Sequence, residues 1–208
     1  LVTISILTAV GAEREVKLQA KRDERSESLA KRKSDRDAAR AELRALWDQG
    51  REEHYAKLEA RATTSAEVAA VTAFKSAIEA AIRARRTAVD ATIQAFRQSV
   101  EQAIASRKSA VDAAVAAFKS ARTAAVEKAK ADCAAAVDPA TARETFKASM
   151  KAAQDKFKSD RQAIEKLKDS LEPVRATRKQ AMEKAIADFK AAMEKARTDL
   201  KAVLEATP

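Results

Sequence analysis

The chain is 208 residues long, carries a formal charge of +10, and is 35% charged but only 4% aromatic. With two glycines, three prolines and no asparagine, it lacks the turn chemistry of a sheet-based or loop-rich domain. One histidine and one cysteine exclude a histidine-bearing metal cluster, a CxxC pair and an intrachain disulfide, and two glycines exclude a phosphate-binding loop. No cofactor, no metal, no small-molecule substrate and no enzymatic activity are therefore expected. Ala, Lys, Arg, Glu and Gln all favour helix. The fold expected is all-α, with long helices forming an elongated helical hairpin or a coiled-coil rod.

The first twelve residues, LVTISILTAVGA, carry no charge. They are too short to span a bilayer, which needs about 20 apolar residues. They resemble the apolar region of a secretory signal peptide, with Val10-Gly11-Ala12 as a cleavage site before Glu13. If the segment is retained, Val2, Ile4, Ile6 and Leu7 make an adhesive tip that a second copy could bury.

Residues 13–62 read as a charged helix, in which Leu18, Leu29, Leu43, Leu46, Trp47, Tyr55 and Leu58 are scattered among dense charge. The stretch 19–42 reads as a solvated helix or as one edge of a larger assembly. Gly50 is a C-cap or a tolerated kink, and His54 a surface or inter-helix residue. Thr63-Thr64-Ser65 interrupts the pattern, and Thr64 with Glu67 has the spacing of a capping box.

Residues 65–137 read as one long helix built on a 22-residue repeat: 73–94, 95–116 and 117–138. The units open with Phe at the same place, Phe74, Phe96 and Phe118. Inside them the apolar residues step by four, four and three, through Ile78, Ile82, Val89, Ile93, Val100, Ile104, Val111 and Val115. That is a hendecad of about 3.67 residues per turn, so its stripe runs nearly straight where a heptad would supercoil to the left. At one position Phe alternates with Arg: Phe74, Arg85, Phe96, Arg107, Phe118. The arginines either lie along the stripe with their stems packed, or meet carboxylates of a neighbouring chain and set its register. Cys133 occupies the slot of Val89 and Val111, which predicts burial as a small apolar residue; an intermolecular disulfide is the alternative.

At Asp138-Pro139 the pattern breaks, with Asp as N-cap and Pro at the first helical position. The chain either reverses there into an antiparallel hairpin or continues extended toward another copy, and a reversal with neither Gly nor Asn is a poor one. Residues 139–208 read as a helix pair with a heptad seam. It runs through Phe146, Met150, Ala153, Phe157, Asp160, Ile164, Leu167 and Leu171, and then through Met182, Ile186, Phe189, Met193, Ala196, Leu200 and Val203. The pair is expected to kink or break at Glu172-Pro173.

The net charge admits nucleic acid as a partner, but the excess is spread as +2, +3 and +5 over 1–64, 65–138 and 139–208 and is interleaved with acids. Nucleic acid is therefore disfavoured, and a membrane surface is the other alternative to self-association. The tandem units of 73–138 resemble those of exchangeable apolipoproteins, though the prolines that usually separate such units are missing. The stretches AFKSA, RKSAVDAAVAAFKSARTAAVEKAK and KAIADFKAAMEKAR resemble predicted secreted, Ala/Lys/Arg-rich helical surface proteins of candidate-phylum bacteria. That resemblance implies export, a cell-surface or extracellular location and no enzymatic role. The expected function is that of a structural protein that assembles with copies of itself through helix–helix seams, as the subunit of a filament.

Overall fold

The structure, a computed structural model, describes residues 2–164 and 166–206, with side chains at Glu13 and from Val16 onward. It contains four helices: α1 (Val2–Glu59), α2 (Ser65–Ala134), α3 (Pro139–Ala163) and α4 (Leu167–Ala206). No strand occurs among the described residues. Helix α1 begins at Val2, not near residue 12, since the apolar start holds no proline to stop it. The side chains of Val2, Ile4, Ile6 and Leu7, the expected assembly tip, lie outside the described residues.

The chain divides into two units, Leu1–Lys75 with Val203–Pro208, and Ser76–Ala202. In the first, the end of α1 meets the start of α2. Tyr55 is buried, as is Val71, and Lys75 sits 5.1 Å from the Tyr55 ring centroid. The same ammonium reaches Glu52 at 3.4 Å and Glu59 at 3.5 Å. Burial pulls the Lys75 pKa down, but the attraction of Glu52 and Glu59 outweighs it, and the net shift is upward. The capping box is formed in full. The Glu67 amide donates to Thr64 Oγ1 at 3.2 Å, while the Glu67 carboxylate accepts from the Thr64 and Thr63 amides at 3.0 and 2.8 Å.

The second unit is an antiparallel helical hairpin in which α2 is matched by α3 and α4. Its reversal is a Schellman turn: the Val137 amide donates to the Asp132 carbonyl at 3.0 Å and the Ala136 amide to that of Cys133 at 3.2 Å. Ala136 takes the left-handed position, φ 50°, that glycine usually fills. Asp138 then caps α3 by accepting from the Thr141 amide at 2.9 Å, with Pro139 in the first turn. The chain thus reverses without the customary glycine, and the extended alternative does not hold.

The return arm is divided between Ala163, where α3 ends, and Leu167, where α4 starts, not at Glu172-Pro173. Helix α3 ends with Ile164 in an extended conformation, and Pro173 lies inside α4. Asp169 and Ser170 both donate from their amides to the Lys166 carbonyl, at 2.9 and 3.2 Å, which starts α4 early enough to hold Pro173 in its second turn. The reason for the shift lies in the register of the two arms, as the contacts between them show.

Candidate interaction surface

The hairpin seam is built from the residues that carry the repeat. Phe118 of α2 meets Phe157 of α3, with ring centroids 5.0 Å apart and planes inclined by 30°. Arg85 of α2 covers Phe189 of α4 at 4.9 Å, and Arg178 of α4 covers Phe96 of α2 at the same distance. Tilted rings and a guanidinium over a ring face both suit the quadrupole of the aromatic system. Each contact pairs positions about equally far from the turn.

On α2, Arg85, Phe96 and Phe118 are spaced by eleven and by twenty-two residues, whereas on the return arm Phe189, Arg178 and Phe157 are spaced by eleven and twenty-one. The return arm is one residue short across the interval that contains the break. In a continuous helix that residue is worth about 100° of rotation and 1.5 Å of rise. Breaking the arm at 164–166 resets its phase so that Phe157 and Phe189 can both face α2.

The expected seam residues are covered unequally. Ile78 is buried. Phe74, Ile82, Val89, Ile93, Phe96, Val100, Val111, Val115 and Phe118 are half-buried, as are Phe146, Phe157, Ile164 and Phe189. Two residues of the expected seams are less covered within the chain: Ile104 is 37% exposed and Ile186 is 41% exposed. Ile186 is displaced by its neighbour Ala185, which is buried in its stead. Cys133 is exposed, not buried, because the seam closes where α2 enters the reversal.

The most buried positions of the hairpin are largely alanines that a search for bulky residues passes over. Ala81, Ala114, Ala125, Ala142, Ala153, Ala185 and Ala196 all lie at 9% exposure or less. Ala114 and Ala125, Ala142 and Ala153, and Ala185 and Ala196 are each eleven residues apart. Small residues let helix axes approach closely, so the line nearest the partner axis holds alanine and the flanking lines hold Phe, Ile and Val. The signal was present in the sequence as a small-residue period beside the bulky one.

Where the return arm breaks, the two arms leave a groove of about 890 Å³, lined by Ser106, Arg107, Ala110, Ala113, Asp160, Ile164, Ser170 and Val174 among others. Its α2 wall is formed largely of small residues. The Asp160 carboxylate is held by Lys156 at 2.9 Å. The outer faces carry Lys–Asp pairs one turn apart, such as Lys151–Asp155 and Lys184–Asp188, which contribute little to stability in water. Among the described residues no three of His, Cys, Asp and Glu are gathered as metal ligands, and no helix is long and apolar enough to cross a membrane.

Fold and surface together define an all-α protein built on an antiparallel helical hairpin. No family model, curated protein or solved structure matches the chain.

Proposed function

We propose that the chain is a non-enzymatic structural protein that associates with copies of itself, as the subunit of an exported, cell-surface or extracellular filament. The observation that carries this reading is the incomplete covering of the hairpin. Two helices close only one side of each seam, so the bulky lines flanking the alanines stay partly in water, Ile104 at 37% and Ile186 at 41% exposure. Further helices laid along the hairpin would bury these lines as in a bundle, each leucine-sized side chain contributing about 1.5–3 kcal/mol if fully covered.

In this reading the hairpin is the building block. The Phe and Arg contacts of the repeat set the register within a copy, and the isoleucines beside them join copies. The uncharged stretch of residues 1–12 supports export, or an adhesive end if retained. Sedimentation velocity and electron microscopy of the purified chain test the proposal. Concentration-dependent assembly that Ile104→Asp with Ile186→Asp abolishes, with helix content intact, is the expected result. A chain that stays monomeric at every concentration overturns it.

A further inference from the structure

Along the sequence, the charges of α1 alternate in sign; around the helix they do not. At about 100° per residue, Arg25, Arg32 and Arg36 fall within about 40° of one line on α1. The acids of the same stretch, Asp23, Glu24, Glu27, Asp35, Asp37 and Glu42, all lie about 100° or more away from it. Leu18, Leu29, Leu43 and Trp47 fall on the line of the arginines. These four are between 46% and 60% exposed, and the three arginines are exposed as well. From Leu18 to Trp47 the face extends about 44 Å.

We propose that this face of α1 is a docking surface for an anionic lipid bilayer. Charge complementarity selects a polyanion, since the line itself carries only cations and apolar residues, with Asp35 beside Arg32 the nearest acid at its edge, and each cation near an anionic surface strengthens binding. The apolar residues then select among polyanions. A duplex backbone presents phosphate and sugar, which give leucine and indole no apolar contact. The boundary between headgroups and acyl chains accepts both kinds of side chain. Leucines there enter the apolar edge, an indole ring settles at the headgroup level, and arginine stems lie along the helix with their heads on phosphate. A helix lying in the plane of the surface can use the whole face at once.

Trp47 is the chain's single tryptophan, so its fluorescence reports on this face alone. The full chain is mixed with vesicles of equal parts phosphatidylglycerol and phosphatidylcholine, with vesicles of phosphatidylcholine alone, and with duplex DNA. The expected result is a blue shift and co-flotation with the phosphatidylglycerol vesicles only, both reduced by salt. Arg25→Gln, Arg32→Gln and Arg36→Gln together should weaken partitioning about a hundred-fold with helix content unchanged. Leu29→Gln with Leu43→Gln should remove the blue shift. No response to the anionic vesicles overturns the proposal. So does binding to DNA but not to vesicles, which assigns the face to nucleic acid. A blue shift that grows with protein concentration in the absence of vesicles also overturns it, by placing a second copy on the face.

Discussion

Arg85 of α2 lies over the ring of Phe189 of α4, 4.9 Å from its centroid, and eleven residues along each arm the pairing recurs with its partners exchanged, Arg178 over Phe96. The exchange follows from antiparallel pairing of two arms that each hold an Arg and a Phe at that spacing. Arg85, on an otherwise apolar stripe, thus finds its partner within the chain, on the aromatic ring of the opposite arm.

A double-mutant cycle at Arg85 and Phe189 measures this contact. Arg85→Met keeps an unbranched stem, and Phe189→Leu keeps an apolar residue, so each removes mainly the cation–ring attraction. Coupling of about 0.5–1 kcal/mol is expected from urea denaturation followed by circular dichroism. The exchanged pair, Arg85→Phe with Phe189→Arg, should recover most of the stability that either change alone removes. Zero coupling would show the two side chains to be neighbours without interaction.

The one-residue shortfall of the return arm makes a sharper prediction. An alanine inserted at 164–166 falls where the helix is already interrupted, so the arms keep their phase and the melting temperature should move little. The same insertion inside α3, between Phe146 and Ala153, turns the flanking halves by about 100° relative to each other and takes one of them off the seam. The loss should reach several kcal/mol, as when core side chains are removed. Equal melting temperatures for the two insertions would argue against the break as a phase reset.

Ala136 offers a gain in stability. Its φ of 50° places a Cβ in the left-handed region, at the Schellman position where glycine is unstrained. Ala136→Gly should stabilise the hairpin by about 1 kcal/mol. The midpoint of urea unfolding would rise with an unchanged slope. A lowered midpoint would mean that the greater freedom of the unfolded glycine outweighs the relieved strain.

Much of this fold is legible in the sequence because helices of this kind announce themselves locally. Thr64 and Glu67 name the start of α2, and Asp138 with Pro139 names the start of α3, each through a hydrogen bond made within a few residues. The break in the return arm was misplaced for the opposite reason. Pro173 is a local signal, but the interruption answers to a register mismatch with residues on α2 some sixty positions earlier, visible only once the arms are paired. Burial failed likewise at Ala185 and Ile186: propensity for the core favours isoleucine, whereas close axial approach favours alanine. The charges of α1 alternate along the chain and segregate only around the helix axis, so their segregation follows from the 3.6-residue turn and not from the order of residues.

Acid should loosen both capped helix starts. Glu67 accepts from the Thr64 and Thr63 amides, and Asp138 accepts chiefly from the Thr141 amide, and these bonds hold both carboxyl pKa values below the ordinary carboxylate range. A depressed folded pKa means that the cap's contribution is complete above the pKa of the unfolded group and disappears as pH falls through the folded one. Asp138 is exposed and Glu67 half-buried, each at a helix start, so the effect is local fraying and not global collapse. Amide hydrogen exchange at Thr63, Thr64 and Thr141, corrected for the intrinsic rate, should lose protection on acidification. Glu67→Gln and Asp138→Asn retain an acceptor oxygen but no titrating group, so each should flatten the profile at its own helix start. Thr64→Ala removes the return bond from the Glu67 amide and only the smallest of the contacts that lower the Glu67 pKa, so it should weaken protection at every pH while leaving most of the acid dependence in place. Profiles for Glu67→Gln and Asp138→Asn that superimpose on that of the unaltered chain would show that neither carboxylate carries the cap.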